Sequence, residues 1–192
     1  MGWTGFLFSN PVSRLELRNK KPARRRSKGK ILVILPCTNK KPYTEALSWK
    51  FVLKHLGPYR RHFDLAAIDC ITNPKTGRPF GIVSQRSQRM TVGKDESPDP
   101  SKLEPLVSEI RRKLRRMSHR YDHIVSYLNV KSYWTALDEV RNEFDVKMLP
   151  KVYAENEIWN SKKLHMGPIG IFKTEIGDLV SEVRRYANGT SL

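Results

Sequence analysis

The sequence predicts an α/β fold: a three-layer, Rossmann-like domain with helices on both sides of a mostly parallel sheet of about four to five strands. Three observations support this prediction. Short apolar runs alternate with amphipathic helical segments, as in βαβ units. The run 31–35 is apolar throughout, which suits a strand covered on both faces. The 192 residues and the hydrophobic fraction of 39% are sufficient for a single core.

The first half of the chain predicts strand, helix, strand and a short extended piece. The helix is expected to start with Thr44 as its cap and to stop at Gly57-Pro58, because its apolar residues recur with helical spacing between those points. In order, the predicted elements are a strand at 31–35, the helix after Thr44, a strand at 63–71, a turn at 73–77 and an extended piece at 80–83.

The second half begins with a long polar stretch, 84–100, and continues with the clearest helix of the chain. That helix starts after Asp99-Pro100-Ser101 and has one apolar stripe from Leu103 to Met117. The remaining predicted elements are a strand at 123–128, a helix at 131–144, a strand at 146–154 broken by Pro150, an irregular segment at 161–171 and a closing helix at 174–188.

Residues 1–29 predict a basic, largely flexible N-terminal arm, and residues 30–192 a single α/β domain. The segment 18–30 lacks apolar periodicity and contains Pro22 and Gly29. Nine basic residues and one acidic residue lie between Arg14 and Lys30, so this segment contributes a charge of +8. The other residues contribute +9, so the folded body is basic as well.

The charge predicts a polyanionic partner, most plausibly nucleic acid. Lys and Arg number 36 against 19 Asp and Glu, giving a net charge of +17. A ribosome surface, or simple solubility, is the alternative explanation. The residues expected to contact phosphates are those of the arm and of one helix face: Arg24, Arg25, Arg26, Lys28, Arg111, Arg112, Arg115 and Arg116. Almost no acidic residue balances the last three turns of that helix, although a solvated face is equally consistent with the pattern.

The sequence also excludes several classes of protein. No apolar stretch has the length of a membrane span, and residues 1–10 lack the apolar core of a secretory signal. We therefore expect a soluble, cytoplasmic protein with no membrane partner. Cys37 and Cys70 are too few for a disulfide framework and have no metal-ligand spacing. Free thiols, no bound metal and no cofactor are the expectation.

The most site-like segment is the loop that follows the first predicted strand, because ligands in α/β proteins bind beyond strand ends. Cys37 is the candidate nucleophile; nearby lysines and the start of the next helix would favour its thiolate. The alternative is a small apolar residue that closes the strand. Lys41, next to Pro42 on a stiff backbone, is the second candidate catalytic residue, and it would orient a substrate. Asn39, Pro42 and Tyr43 are the candidate substrate-binding residues of the loop; Tyr43 could stack on a base or simply support the loop.

Asp95 is a further candidate substrate-binding residue, in an acidic cluster with Glu96 and Asp99. This cluster could receive a cationic substrate or bind a metal, or Asp99 could cap the next helix while the others are solvated. The histidines show no pairing pattern with Cys37 or with carboxylates, and they are interpreted as surface or core residues.

The loop resembles a motif of archaeosine synthase, an archaeal tRNA-modifying enzyme related to tRNA-guanine transglycosylases. That motif reads Pro-Cys-x-x-x-Lys-Pro-Tyr-x-x-Ser-x-x-His after a hydrophobic strand. The chain matches it at Pro36, Cys37, Lys41, Pro42 and Tyr43, with weaker similarity over 30–139. Two positions depart from it: Ala46 stands where the family has Ser, and Trp49 where it has His.

The resemblance implies an RNA-binding protein of the tRNA-modification type, similar to the domain that acts on 7-cyano-7-deazaguanine in tRNA. The implied reaction adds the amine of lysine across the nitrile of that base. We expect that neither Ala46 nor Trp49 can transfer a proton or donate a useful hydrogen bond from the place of the family's Ser and His, so altered or lost chemistry is part of the expectation. The alternative is a non-enzymatic nucleic-acid-binding protein, perhaps a subunit that presents RNA or DNA to a partner tRNA-modifying enzyme.

Overall fold

The computed structural model describes residues 30–38, 42–85, 103–149 and 168–189, with side chains from Ile176 onward in the last of these ranges. Five strands and five helices lie in these ranges. The strands are β1 (Ile31–Pro36), β2 (Phe63–Thr72), β3 (Pro79–Ser84), β4 (His123–Tyr127) and β5 (Val146–Leu149). The helices are α1 (Leu47–Leu56), α2 (Leu103–Met117), α3 (Lys131–Asp138), α4 (Arg141–Phe144) and α5 (Pro168–Ala187).

The strands form one sheet in the order β3-β2-β1-β4-β5. β1 pairs in parallel with β2 and β4, and β4 pairs in parallel with β5. β3 is the antiparallel edge strand and follows β2 through the turn at 73–78. The predicted α/β class with a mostly parallel sheet is therefore confirmed, with five strands.

Two apolar cores cover the two faces of the sheet, so the domain has three layers. Side chains alternate along β1: Ile31, Val33 and Leu35 face α1 and α5, whereas Leu32 and Ile34 face α2 and α3. All six residues of β1 are buried, as the uninterrupted apolar run predicted. β1 is thus the rigid centre from which the following loop departs.

α2 approaches the edge strand unusually closely. Gly81 in β3 has a φ of +69°, and a Cβ added there would lie 3.0 Å from backbone and side-chain carbon atoms of Glu109. Only glycine combines this backbone conformation with such a contact at low energy. The contact fixes the middle of α2 against the hairpin formed by β2 and β3.

Several predicted boundaries were wrong. Thr44 does not cap α1: it lies in a 3-10 turn, Tyr43–Glu45, and the helix begins at Leu47 after an extended Ala46 that makes no side-chain cap bond. The predicted helix 131–144 is two helices, because Glu139 and Val140 form a turn between them and Val140 has a φ of −118°.

Two further differences concern the end of the chain. The closing helix begins at Pro168 instead of 174, so the expectation of irregular structure at 161–171 fails from that residue on. Proline is compatible with the first turn of a helix, where its missing N–H has no partner to lose. β5 is described from Val146 to Leu149, and the rest of the predicted strand 146–154 lies outside the described residues.

Candidate functional site

The candidate site lies beyond the carboxyl ends of β1 and β4, where the chain direction divides. From β1 the chain continues through α1 on one face of the sheet, and from β4 it continues through α3 on the other face. Adjacent parallel strands whose connections leave on opposite faces create a crevice at their carboxyl ends, which is the usual ligand position in open α/β sheets. Cys37 directly follows β1, at this crevice.

The side chains of Cys37 and Cys70 meet at the hydroxyl of Tyr133. The hydroxyl oxygen of Tyr133, in α3, lies 3.0 Å from the Cys37 sulfur and 2.9 Å from the Cys70 sulfur of β2. Neither cysteine forms a disulfide, and both are half-buried. Because both sulfurs contact one oxygen, they lie at most about 6 Å apart, within reach of a shared ligand.

Burial raises the pKa of Tyr133, and the adjacent sulfurs of Cys37 and Cys70 raise it further. The phenol therefore keeps its proton at physiological pH. A single phenolic proton can be donated to only one sulfur at a time, and the phenolic oxygen can accept from a thiol, so either group can be the donor in each contact. The Tyr133 hydroxyl is thus a permanent donor that can stabilise a thiolate on either cysteine.

Buried hydrogen bonds hold the loop on both sides of Cys37. The indole N–H of Trp49 donates to the backbone oxygen of Pro36 at 3.0 Å, and the backbone N–H of Cys37 donates to Ile68 at 3.0 Å. Trp49 thus donates a hydrogen bond to the main chain, a supporting role that the sequence did not predict. A fully buried indole bonded to the main chain fixes the backbone next to the thiol.

Tyr43 supports the loop from within the core. It is fully buried, and its hydroxyl donates to Oδ2 of the buried Asp69 at 2.5 Å. Asp69 also accepts the backbone N–H of Ile71 at 2.9 Å. The ring of Tyr43 packs against Trp49. In this conformation Tyr43 takes the supporting role that we weighed for it, and its ring is not available to stack on a base.

The other predicted loop residues divide into described and undescribed ones. Pro42 is exposed, in an extended conformation. The remaining candidates lie outside the described residues, so their roles stay predictions: Asn39, Lys41, Asp95, Arg24, Arg25, Arg26 and Lys28.

The basic face of α2 is more neutralised than its own sequence indicated. Arg111 Nε lies 2.7 Å from Glu143 Oε1 in α4, and Arg115 lies 3.7 Å from the other oxygen of Glu143. Arg112 pairs with the buried Glu109 one turn earlier. The premise that almost no carboxylate balances this face was therefore wrong, because one partner comes from another helix. Arg116 is exposed and remains a charge that could contact a phosphate.

A second polar cluster lies at the opposite end of the sheet, at the start of β4. His123 Nε2 lies 3.1 Å from Glu182 of α5, and the His123 ring stacks on Tyr186 with centroids 4.0 Å apart. Burial lowers the pKa of His123 and outweighs the opposing effect of Glu182. His123 is buried, which agrees with the expectation of surface or core histidines, and its pairing with Glu182, 59 residues away, was not visible in the sequence spacing.

Sequence reasoning missed Cys70, Tyr133 and Asp69 as parts of the site. One signal was available: Cys70 lies near the end of a strand predicted to run parallel to β1, and the carboxyl ends of parallel strands meet at one sheet edge. Tyr133 falls on the apolar, inward-facing stripe of the predicted helix 131–144, and it is buried. Periodicity gave its inward direction but not its contact with the two sulfurs.

Two properties of the described residues concern metals and membranes. No group of three or more His, Cys, Asp or Glu side chains in the described ranges has the arrangement of a metal site. None of the described helices combines the length and apolarity that crossing a bilayer requires.

Comparison with known proteins adds one structural similarity. No protein-family model matches the chain, and no curated protein matches it. The crystal structure of AF0587, a protein of unknown function, is similar with a TM-score of 0.49 and 13% sequence identity. The similarity covers 80% of this chain and 44% of that one, so it spans less than half of that protein.

Proposed function

We propose that this chain is a cytoplasmic RNA-binding protein of the tRNA-modification type, with Cys37 as the nucleophile of a thiol site that acts on an electrophilic carbon of the RNA. The observation that carries the proposal is the half-buried Cys37 sulfur, 3.0 Å from the Tyr133 hydroxyl at the crevice between β1 and β4. A net charge of +17 supports a polyanionic substrate.

The geometry supports a simple addition step. The Cys37 thiolate attacks the nitrile carbon, a carbon–sulfur bond forms, and the π electron pair moves to the nitrogen, which takes the proton released by the thiol. An amine then attacks the resulting thioimidate carbon and expels the thiolate, giving an amidine. The overall change is the addition of the amine across the nitrile, as the resemblance to archaeosine synthase implies. Tyr133 positions and stabilises the thiolate before attack and after release.

The first experiment separates chemistry from binding. Cys37→Ala and Lys41→Ala should abolish turnover of nitrile-bearing tRNA without weakening its binding. Cys70→Ala is the matched control, because it removes a second thiol that contacts the same hydroxyl. Turnover by Cys37→Ala equal to that of the wild type would refute the catalytic role.

Thiol labelling tests the same site without any substrate. In the Cys70→Ala background, Cys37 should be alkylated well below the pKa of about 8.5 of a free cysteine. A labelling profile with its midpoint near that value would show an ordinary thiol and would count against nucleophilic catalysis.

A second function is favoured by the two positions that depart from the motif. Ala46 and Trp49 are both buried, so neither place can present a proton-transferring side chain to a ligand. The chain would then bind nucleic acid without chemistry and present it to a partner tRNA-modifying enzyme. This alternative predicts salt-dependent binding that is indifferent to Cys37 alkylation and that weakens when residues 14–30 are removed.

A further inference from the structure

A groove between the β2–β3 hairpin and α2 has the composition of a nucleotide site. It encloses about 410 Å³, which lies within the range of small-ligand pockets. Asn73, Arg78 and Phe80 line it from the hairpin, and Glu109, Arg112 and Lys113 line it from α2. We call this feature the hairpin groove. None of its residues was singled out by sequence as a pocket, although Arg112 was assigned to the basic face of α2.

The hairpin groove is positively charged around one buried carboxylate. Glu109 is bound by Arg112, whose Nε donates at 2.8 Å, and Arg78 lies 3.8 Å from its other oxygen. Two arginines therefore share one carboxylate, and Lys113 adds a third positive charge to the lining of the groove. Two donors of Arg112 are used by Glu109, so the guanidinium groups retain N–H donors for a further anion. Burial and the charge of Arg112 lower the pKa of Lys113, as expected where positive charge is in excess.

Phe80 provides an aromatic surface in the same groove. It lines the groove together with Glu109, Arg112 and Lys113, so it faces the side of the hairpin on which α2 lies. It is half-buried, lines the groove and belongs to neither apolar core. An aromatic ring among cations, outside the core, is the combination that binds unpaired bases: the ring stacks on a base while the cations contact the backbone.

The groove is built rigidly and lies close to the thiols. The turn is closed by Asn73, whose N–H donates to Arg78 and whose carbonyl accepts from Gly77. The Gly81–Glu109 contact fixes the other wall. Asn73 follows Cys70 by three residues, so their Cα atoms lie within about 10 Å.

We propose that the hairpin groove binds one unpaired nucleotide of an RNA strand, with its base stacked on Phe80 and its phosphate held by Arg78, Arg112 and Lys113. The assignment to RNA rests on the proposed function. The site would hold the strand beside the Cys37–Cys70–Tyr133 cluster, and duplex RNA would bind poorly there because its bases are stacked and unavailable.

The test uses the full chain, tRNA, and a single-stranded RNA oligonucleotide that carries a fluorescent adenine analogue. The wild type should quench the fluorescence by stacking. Phe80→Leu keeps an apolar side chain but should lose the quenching and weaken binding about 5- to 100-fold. The matched control is Phe51→Leu, which changes a half-buried ring of α1 on the opposite face of the sheet and should leave both readouts unchanged.

A second variant tests the phosphate contacts. Arg78→Gln combined with Lys113→Gln should reduce the slope of log affinity against log salt by about 1.4, since each single-strand phosphate contact contributes about 0.7. Arg61→Gln removes an exposed charge at the other end of β2 and should leave the slope unchanged. Equal unfolding midpoints show that the variants are folded.

The outcomes distinguish the two proposals. One outcome is that the wild type, Phe80→Leu, the Arg78/Lys113 double variant and the controls all bind tRNA with the same high affinity. That result would refute nucleotide binding in the hairpin groove and leave the proposed function standing. Absence of RNA binding by the wild type would overturn both. A single-stranded DNA oligonucleotide of the same sequence is also measured, and affinity equal to that for the RNA oligonucleotide would overturn the assignment to RNA.

Discussion

The Tyr43–Asp69 hydrogen bond gives the sharpest stability prediction. Both residues are fully buried, and the Tyr43 hydroxyl supplies Asp69 Oδ2 with a donor at 2.5 Å. Tyr43→Phe removes this donor and leaves the ring and its packing on Trp49 in place. The substitution therefore isolates the hydrogen bond from the apolar contacts that hold the loop.

The expected magnitude follows from the burial of the acceptor. Asp69 Oδ1 keeps the backbone N–H of Ile71, but Oδ2 loses its hydroxyl donor in a place closed to water. A buried acceptor left without a donor costs about 1–3 kcal/mol. For a domain of this length, a loss of about 2 kcal/mol lowers Tm by about 4–8 °C.

The assay is urea unfolding followed by circular dichroism, with thermal unfolding as a second measurement. A loss of about 2 kcal/mol should lower the urea midpoint by about 1 M if the m value is about 2 kcal/mol/M. Tyr59→Phe is the matched control: Tyr59 is half-buried at the edge of the same core, and its hydroxyl is outside the Asp69 contact. A difference between the two variants below about 0.5 kcal/mol would refute the reasoning.

Three further predictions concern packing, protonation and thiol chemistry. Gly81→Ala should destabilise the fold by about 2–5 kcal/mol, because the positive φ of Gly81 and its contact with Glu109 both oppose a Cβ. Gly77→Ala is the control: Gly77 has a φ of +66° but lies in open space, so the substitution should cost only about 1–2 kcal/mol in the same urea assay. Because the pKa of His123 is lowered in the folded protein, the unfolded chain binds the proton at a higher pH than the folded one. The His123 contribution to stability is therefore fully present above about pH 6.5 and is lost as pH falls. His123→Asn should flatten that part of the stability–pH curve. Tyr133→Phe in the Cys70→Ala background should slow alkylation of Cys37 at pH 7 by about fivefold, because the thiolate loses a donor worth about 1 kcal/mol.

Each of these predictions has a result that contradicts it. Equal losses in the two glycine variants would show that α2 yields to the added methyl group. An unchanged pH dependence in His123→Asn would assign the acid sensitivity to other groups. For the thiol, Tyr59→Phe serves again as the control, and a labelling rate in Tyr133→Phe equal to that control would remove the phenol from the site.

Local pattern was sufficient for the central elements of the fold. The apolar run at 31–35 is β1 extended by Pro36, and the stripe from Leu103 to Met117 is α2. These predictions succeeded because burial on both faces, or on one face with helical spacing, is encoded in consecutive residues. The boundaries near Thr44, Val140 and Pro168 failed, because cap and turn geometry depends on neighbouring backbone that the pattern does not contain.

The candidate site was predicted only in part. The position of Cys37 after a buried strand was sufficient to place its thiol at the carboxyl edge of a sheet. The convergence of Cys70 and Tyr133 on that thiol required the parallel pairing of β1 with β2 and the location of α3 on one face. The neutralisation of Arg111 by Glu143 likewise joins two helices that are distant in sequence.

The amino-acid sequence by itself determined the α/β class, the buried central strand and the excess of positive charge, because these follow from residue type and local spacing. Only the tertiary structure decided that two thiols share one phenol, that Tyr43 is anchored to Asp69 and that Phe80 lies among cations in a groove. The physical reason is that strand order and the choice of face for each helix bring together residues far apart in the chain, and packing of the whole domain selects that arrangement.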